Sequence, residues 1–304
     1  MRASFRLNSY AMVLEKLLLL REARCSAPQL FILGLPRSGT TLIYQYIATR
    51  LRIAYFTNGV GRFPGAPCLA TFVEHNIYGQ YKSDFRSNYG KVKGHTAPRE
   101  AGGFWNRFFD VNSYTGLGDL TEKEVYVLRT TIAYVSNIYG GVPFVNKNVK
   151  HLLRINAMSQ IFTNSMFLIV ERDLRDVALS VLRGRYENQP DPTKWWSVMP
   201  PNYTTLKSLA VWEQVAHQCL SLKAKMEEDL SLLPMVRVIR IHYEDFCKNP
   251  EHLILRLATY LNTEETENLP EESFQITHNR PHNREEIALI GYINKFKDEE
   301  NGSS

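Results

Sequence analysis

One short segment near the N-terminus constrains the fold of this chain more than any other. Residues 28–35, PQLFILGL, form an apolar run that is followed by proline. Such a run is typical of a strand buried on both faces of a parallel sheet. The loop PRSGTT comes next, and residues 41–51, TLIYQYIATRL, have the apolar spacing of a helix. Because free backbone N–H groups collect at a helix N-terminus, this strand, loop and helix predict a site for a phosphate group.

Strands and helices alternate along the rest of the chain. The patterns predict strands at 52–57, 143–147, 165–171 and 235–242, and helices at 121–139, 149–162, 173–185, 204–230, 250–262 and 284–296. Thr121 and Glu124 have the spacing of a capping box, and Asp173 can cap the helix that follows it. This alternation predicts an α/β fold built on a parallel sheet. Nothing in the composition marks a linker, so residues 1–304 are expected to form one domain.

Charge and cysteine content exclude several classes of protein. The net charge is +5, but the basic residues are scattered rather than gathered into a stripe, which argues against nucleic-acid binding. The four cysteines lack the spacing of a metal site and indicate free thiols in a reducing compartment. Residues 1–27 predict a leading helix, since their apolar run is too short for a signal peptide or a membrane span. We therefore expect a soluble, cytoplasmic protein.

The loop departs from the nucleotide-binding pattern G-x-x-x-x-G-K-[ST] at one informative position. Gly34, Gly39 and Thr41 match the pattern, whereas Thr40 stands where the lysine should be. A nucleotide P-loop needs that lysine for the β- and γ-phosphates. Here the cation lies inside the loop instead, at Arg37. A kinase or nucleotide hydrolase of the P-loop class remains an alternative, but the missing lysine argues against it.

This altered loop resembles the 5′-phosphosulfate loop of sulfotransferases that use 3′-phosphoadenosine 5′-phosphosulfate (PAPS). Their loop reads P-[KR]-S-G-T-T, and the chain matches it throughout, at Pro36, Arg37, Ser38, Gly39, Thr40 and Thr41. The resemblance implies a three-layer α/β/α fold with a central parallel sheet, similar to that of P-loop nucleoside triphosphate hydrolases. It also implies that the backbone and hydroxyl groups bind the 5′-phosphate, while Arg37 contacts the transferring sulfuryl group.

A second segment resembles the family's 3′-phosphate site. The family carries an arginine at the end of a strand and a serine eight residues later, and here these are Arg172 and Ser180, with Leu174 in place of the usual proline. Taken alone, Arg172 could equally be a charge at a helix start. Tyr243, in Tyr-Glu-Asp, resembles a family tyrosine near the cofactor, although a core aromatic explains it as well.

The resemblance offers two candidates for the catalytic base. Lys93-Gly-His95-Thr-Ala-Pro98 is similar to the K-x-H-x-P segment of cytosolic sulfotransferases, whose histidine is the base, with one extra residue before the proline. Other branches use a glutamate, which makes Glu100 the second candidate. Lys147, in Asn-Lys-Asn, is similar to the lysine that assists the leaving group in the tyrosyl-protein and bacterial branches. Each of these residues could instead be an ordinary surface side chain.

Together these features predict in-line, metal-independent transfer of a sulfuryl group from PAPS to a hydroxyl or amine, with release of adenosine 3′,5′-bisphosphate. The aromatic-rich residues 58–118 are expected to form the acceptor pocket. The acceptor itself is expected to be a small or lipid-like molecule, and the residues do not identify it. A module that senses the nucleotide without catalysis remains an alternative, and a homodimer is left open.

Overall fold

The sheet of this protein contains four parallel strands. A computed structural model describes residues 2–111, 113–266 and 272–302, with side chains described for 9–111, 113–266 and 272–296. The strands are β1 (Gln29–Leu33), β2 (Phe144–Lys147), β3 (Met166–Glu171) and β4 (Val238–His242). Their order across the sheet is β2-β1-β3-β4, and every neighbouring pair is parallel. The carboxyl ends of all four strands therefore lie along one edge of the sheet.

Successive residues of β1 point into two separate hydrophobic layers. Phe31 and Leu33 pack into one cluster of buried side chains, and Leu30 and Ile32 pack into the other. Because both faces of β1 are covered by apolar side chains, its residues from Leu30 to Leu33 are all apolar, which explains the continuous apolar run in the sequence. The predicted three-layer α/β/α arrangement is confirmed.

Helices cover both faces of the sheet. Their bounds are α1 (Arg2–Leu18), α2 (Thr40–Arg50), α3 (Asn58–Arg62), α4 (Pro67–Tyr78), α5 (Gly102–Trp105), α6 (Glu122–Ile138), α7 (Ile155–Ile161), α8 (Leu174–Asn188), α9 (Val211–Ser231), α10 (Tyr243–Lys248), α11 (Pro250–Leu261) and α12 (Arg284–Gly302). Helices α2, α10 and α11 lie on the face of Leu30, whereas α6 to α9 and α12 lie on the face of Phe31.

Side-chain caps set several of these helix starts. The Thr121 hydroxyl accepts from the Glu124 backbone N–H at 3.3 Å, and the Glu124 carboxylate accepts from the Thr121 N–H at 2.8 Å. This is the predicted capping box at the start of α6. The Asp173 carboxylate accepts from the Arg175 N–H at 2.8 Å, which begins α8 directly after β3. Both predicted caps are confirmed.

Some predicted elements differ from the structure in extent or kind. Residues 52–57 form isolated bridges instead of a strand, because Leu51, Ala54 and Thr57 each pair with a different segment of the chain. The helix predicted at 149–162 is a 3₁₀ turn followed by α7.

The helix predicted at 204–230 begins only at Val211, where Glu213 accepts from the Ala210 N–H at 2.9 Å and caps it. The leading helix predicted over 1–27 ends at Leu18. Across residues 2–111, 113–266 and 272–302, no helix combines the length and apolar composition needed to cross a membrane.

Candidate active site

The phosphate loop connects the carboxyl end of β1 to the first turn of α2. Gly39, directly before α2, has φ 94°, and Arg37 has φ 73°, so both residues adopt the left-handed backbone region. A Cβ atom on Gly39 would lie 2.3 Å from Cδ2 of Tyr243. Glycine is therefore required at 39 both for its backbone angle and for the close approach of this ring. Tyr243 begins α10 after β4, so the sheet edge brings its ring to the loop.

Contacts of Arg37 join the loop to the second predicted phosphate segment. Its Nε atom donates to the Ser180 hydroxyl at 2.9 Å. Arg172 donates from Nη1 to the Arg37 carbonyl oxygen at 3.2 Å, and its guanidinium lies 4.6 Å from the centre of the Tyr243 ring. Arg37, Arg172, Ser180 and Tyr243, which are far apart in sequence, thus lie together at the carboxyl edge of the sheet.

This cluster has the properties of a site for an anion. Burial lowers the pKa of Arg37, and the nearby positive charge of Arg172 lowers it further. Two donors, the Ser38 hydroxyl and Nε of Arg172, are buried and lack a hydrogen-bond partner among the described residues. A phosphate group placed here would offset the repulsion between the two cations and supply acceptors for unfilled donors. The residues present therefore fit a phosphorylated ligand.

Glu100 and Lys147 form an ion pair beside the same loop. A Cβ atom placed on Gly90 would lie 3.2 Å from the nearer Glu100 oxygen, 3.6 Å from Nζ of Lys147 and 3.8 Å from the Thr41 hydroxyl. These three groups therefore surround one point. Lys147 ends β2 and is almost completely buried, whereas Glu100 is partly exposed. Asn148 donates to the Glu100 carbonyl oxygen at 3.2 Å, which holds the acid against the end of β2.

A cavity of about 450 Å³ connects these groups. Its walls include most of the loop, the Glu100–Lys147 pair and Arg172. Its lining residues include Pro36, Arg37, Gly39, Thr40, Thr41, Tyr89, Lys91, Glu100, Lys147, Lys150, Arg172 and Trp196. The cavity thus contains cations, one carboxylate and hydroxyl groups side by side.

His95 is not among the residues that line this cavity. Its ring stacks on Tyr78 at 4.1 Å, its Nδ1 atom lies 3.5 Å from a Glu74 oxygen, and it lines a separate apolar cavity of about 370 Å³. The Asn58 side chain donates to the carbonyl oxygens of Val92 and Gly94, and these bonds fix the turn that carries His95. Of the two predicted bases, the structure brings only Glu100 to the phosphate loop.

Two aromatic residues at the cavity were not predicted as site residues. The ring of Tyr89 lies 4.8 Å from the Arg37 guanidinium, its hydroxyl hydrogen-bonds with Glu187, and Trp196 meets it edge-on at 5.4 Å. Tyr89 and Gly90 have φ values of 47° and 84° at the tip of a two-residue turn. Gly90 in Asn-Tyr-Gly-Lys carried a partial signal for this turn, because glycine favours a positive φ, but nothing in the sequence indicated a contact with Arg37.

The part of the chain that the structure describes contains no cluster of metal ligands. In that part of the chain, no three His, Cys, Asp or Glu side chains gather in a way that could hold a metal ion. That sulfuryl transfer needs no metal ion stays a prediction.

Comparison with known proteins identifies the family of this chain. Residues 28–267 match the model of a sulfotransferase family. This match covers the sheet, the loop and every site residue described above. The chain therefore belongs to the sulfotransferase family. No curated protein sequence matches it significantly.

Solved structures of similar fold are also sulfotransferases. STF9 from Mycobacterium avium has a TM-score of 0.54 and 14% identity, with 95% of this chain and 73% of that chain covered. STF1 from Mycobacterium tuberculosis H37Rv has a TM-score of 0.50 and 10% identity, with 78% and 67% covered. At such low identity these structures show a common fold and nothing about the acceptor.

Proposed function

We propose that this protein transfers a sulfuryl group from PAPS to a hydroxyl or amine on a small or lipid-like acceptor and releases adenosine 3′,5′-bisphosphate. The observation that carries the proposal is the position of the Glu100–Lys147 pair beside a phosphate loop that also contacts Arg172 and Ser180. PAPS has two phosphate-bearing ends and a sulfuryl group, and this cavity has groups suited to each of them.

The donor is held from two sides in this proposal. The N-terminal N–H groups of α2 and the hydroxyls of Thr40 and Thr41 bind the 5′-phosphate. Arg172 and Ser180 bind the 3′-phosphate, and Arg37 lies between the two groups because it contacts Ser180 directly. When bound, PAPS supplies an activated sulfuryl group whose leaving group is already a phosphate. Such a leaving group needs positive charge nearby but no metal ion.

Glu100 takes the proton of the acceptor in this proposal. It is the carboxylate on the cavity wall, where the other titratable lining residues are lysines, arginines and Tyr89. Lys147, next to it, stabilises the charge that develops on the leaving oxygen. In-line displacement at sulfur needs a base for the attacking hydroxyl and positive charge for the departing oxygen, and this cavity contains both kinds of group. For His95 to act instead, its ring would have to leave Tyr78 and enter a different cavity.

The compartment and the extent of the acceptor pocket are also part of the proposal. All four cysteines are free, and three of them are buried, which suits a reducing cytoplasm. Residues 58–118 form the acceptor side, because they include Tyr89, Lys91 and Glu100 of the cavity wall.

Binding of adenosine 3′,5′-bisphosphate tests the donor half. We expect titration calorimetry on the wild-type protein to detect binding, and Arg37→Ala and Arg172→Ala to weaken it at least tenfold. Thermal-shift measurements should show stabilisation by the bisphosphate and none by ATP with Mg²⁺. A protein that responds to ATP with Mg²⁺ and not to the bisphosphate would contradict the proposal and favour a P-loop nucleotide hydrolase.

Sulfate transfer from radiolabelled PAPS to a panel of phenols, alcohols and amines tests the catalytic half. Glu100→Gln should lower turnover by about 10²- to 10⁴-fold, the usual contribution of a general base, while bisphosphate affinity is kept. His95→Ala is the matched comparison and should retain most of the activity. If the wild type binds the bisphosphate but transfers nothing, and Glu100→Gln changes nothing measurable, the chain is a nucleotide-sensing module.

A further inference from the structure

The cavity holds more positive charge than the donor requires. Arg37, Arg172 and Lys147 are the cations that the proposed function uses for the two phosphates and the sulfuryl group. Lys91 and Lys150 also line the cavity, and Glu100 is the carboxylate that faces them. The inference drawn from these two lysines rests on the proposed function.

Strand order separates Lys150 from the nucleotide end of the cavity. Arg172 follows β3, whereas Lys150 follows β2, and β1 with its loop lies between these strands. Neighbouring strands are about 4.8 Å apart, so the ends of β2 and β3 lie about 10 Å from each other. Lys150 is therefore on the side of Glu100, away from the proposed 3′-phosphate site.

Lys150 is a partly buried cation that lacks a direct partner. Its ammonium group makes no hydrogen bond or ion pair with any residue in the described ranges 9–111, 113–266 and 272–296. Burial lowers its pKa, and the charge of Arg154 lowers it further, while Glu100 and Asp110 oppose this shift. The Lys150 backbone N–H donates to the Asn148 side chain at 2.9 Å, which fixes the start of the chain segment that carries it. An anion beside Lys150 would compensate the cost of its burial.

Lys91 reaches the same region from the opposite wall. It follows Gly90, where a Cβ atom would lie within 4 Å of Glu100, Lys147 and Thr41. The turn that carries it is closed by paired hydrogen bonds between Asn88 and Lys91 at 2.9 and 3.0 Å. Lys91 and Lys150 thus border the proposed acceptor hydroxyl position, where Glu100 lies.

We propose that the acceptor is itself an anion, a hydroxyl compound that carries a carboxylate, phosphate or sulfate group, and that Lys91 and Lys150 bind this group while the hydroxyl faces Glu100. Charge complementarity then selects acidic acceptors over neutral ones of the same shape. The two lysines determine specificity and take no part in the proton transfer.

Paired probes that differ only in charge test this inference. We would measure the binding of 3-(4-hydroxyphenyl)propionate and of its neutral amide to the protein saturated with adenosine 3′,5′-bisphosphate, by calorimetry. A second pair, glucose 6-phosphate and glucose, examines a phosphate in place of a carboxylate. In at least one pair, the wild type should bind the anionic member at least tenfold more tightly than the neutral member. This preference should decrease as the salt concentration is raised from 50 to 300 mM.

The double variant Lys91→Gln/Lys150→Gln should bind both members of the pair about equally and leave bisphosphate affinity unchanged. Lys123→Gln, which removes an exposed positive charge outside the cavity, should change neither quantity. Equal binding of both members of each pair, or no detectable binding of any probe, overturns the inference. A double variant with weakened bisphosphate affinity also overturns it, since the lysines would then serve the donor. A wild type that fails to bind the bisphosphate is the separate outcome in which the proposed function itself falls.

Discussion

At the residue scale, the ring of Tyr243 contacts both halves of the candidate donor site. A Cβ atom on Gly39 would lie only 2.3 Å from Cδ2 of this ring. The Arg172 guanidinium lies 4.6 Å from the ring centre. Burial is the main reason that the pKa of Tyr243 is raised to about 12, so its hydroxyl remains neutral at physiological pH. The ring therefore couples the position of the loop to that of Arg172.

Two glycine substitutions distinguish the energetic cost of backbone strain from the cost of this close contact. Gly39 and Gly140 have φ values of 94° and 90°, but a Cβ atom on Gly140 would meet nothing within 4 Å. Gly140→Ala should lower the free energy of unfolding by about 1 kcal/mol, the cost of left-handed backbone alone. Gly39→Ala should cost more and weaken bisphosphate binding at least tenfold. Urea denaturation and calorimetry measure both effects, and equal costs for the two variants would show that the close contact is absent.

The clustering of the proposed donor-side residues was easier to predict from sequence than the position of the base, for a physical reason. The six residues from Pro36 to Thr41 lie on one tight turn, so a local pattern defines their geometry. Arg172 also lies at a strand end, where the sheet edge determines its position. His95 and Glu100 lie on an irregular segment, and contacts with Asn58 and Asn148 determine where each points. No local spacing encodes those contacts. The sequence therefore favoured His95 through its similarity to K-x-H-x-P, whereas the structure brings Glu100 to the loop.

At the element scale, the turn formed by Asn88–Lys91 covers one side of the cavity. Tyr89 and Gly90 at its tip contact Arg37 on one side and the Glu100–Lys147 pair on the other. Gly184 in α8 leaves room for the Trp196 indole, because a Cβ atom there would lie 2.5 Å from the ring. Trp196 in turn packs edge-on against Tyr89. The turn is thus held in place by aromatic contacts rather than by the sheet.

Removal of the Tyr89 ring should loosen Arg37. A cation–π contact contributes about 0.5 to 2 kcal/mol, so Tyr89→Ala should weaken bisphosphate binding by about two- to thirtyfold. Tyr89→Phe keeps the ring and loses only the hydrogen bond with Glu187, and it should have a smaller effect. Tyr260→Ala, on the exposed side of α11, serves as the control and should leave the affinity unchanged. If Tyr89→Ala binds the bisphosphate as the wild type does, the ring does not position Arg37.

The elements that sequence predicted correctly are those with a strong local pattern. β1 and β3 are short apolar runs because both of their faces are buried, and α6 has a capping box that defines its start. Residues 52–57 have similar composition but form only single bridges, from Ala54 to β2 and from Thr57 to Pro98. Composition indicates an extended segment but not its partners, since those lie in distant parts of the chain.

At the scale of the whole molecule, a polar cluster lies in the core behind the candidate active site. The Asn146 side-chain oxygen accepts from Trp105 Nε1 and from His151 Nε2, each at 3.1 Å. The Nδ1 atom of His151 is buried without a partner among the described residues. Burial, together with the charge of Arg154, holds the pKa of His151 well below its usual range. The folded protein therefore keeps this histidine neutral.

This arrangement predicts a loss of stability in mild acid. Below pH 6.5 the unfolded chain takes up a proton at His151 and the folded chain does not, so the free energy of unfolding falls as the pH falls. One such proton contributes a slope of at most about 1.4 kcal/mol per pH unit. His151→Gln should be less stable at pH 7.5 but should show a flatter decline between pH 6.5 and 5. Urea denaturation at several pH values measures this slope.

The exposed His252 on α11 provides the control for that experiment. His252→Gln also replaces a histidine but leaves the core cluster intact, so its decline with pH is the reference for that of His151→Gln. A slope that is unchanged in His151→Gln would assign the acid sensitivity to other groups.

The order of the strands divides the chain into segments that could change independently during evolution. The connection from β1 to β2, residues 34–143, contains Glu100, the Asn88–Lys91 turn and the helices α3 to α5, whereas Arg172 and Ser180 lie in the connection from β3 to β4. A new acceptor is therefore accessible through changes between α3 and α5 together with position 150, which follows β2. Chimaeras that replace residues 58–118 and position 150 would then inherit the substrate preference of the inserted segment while keeping the donor of the host.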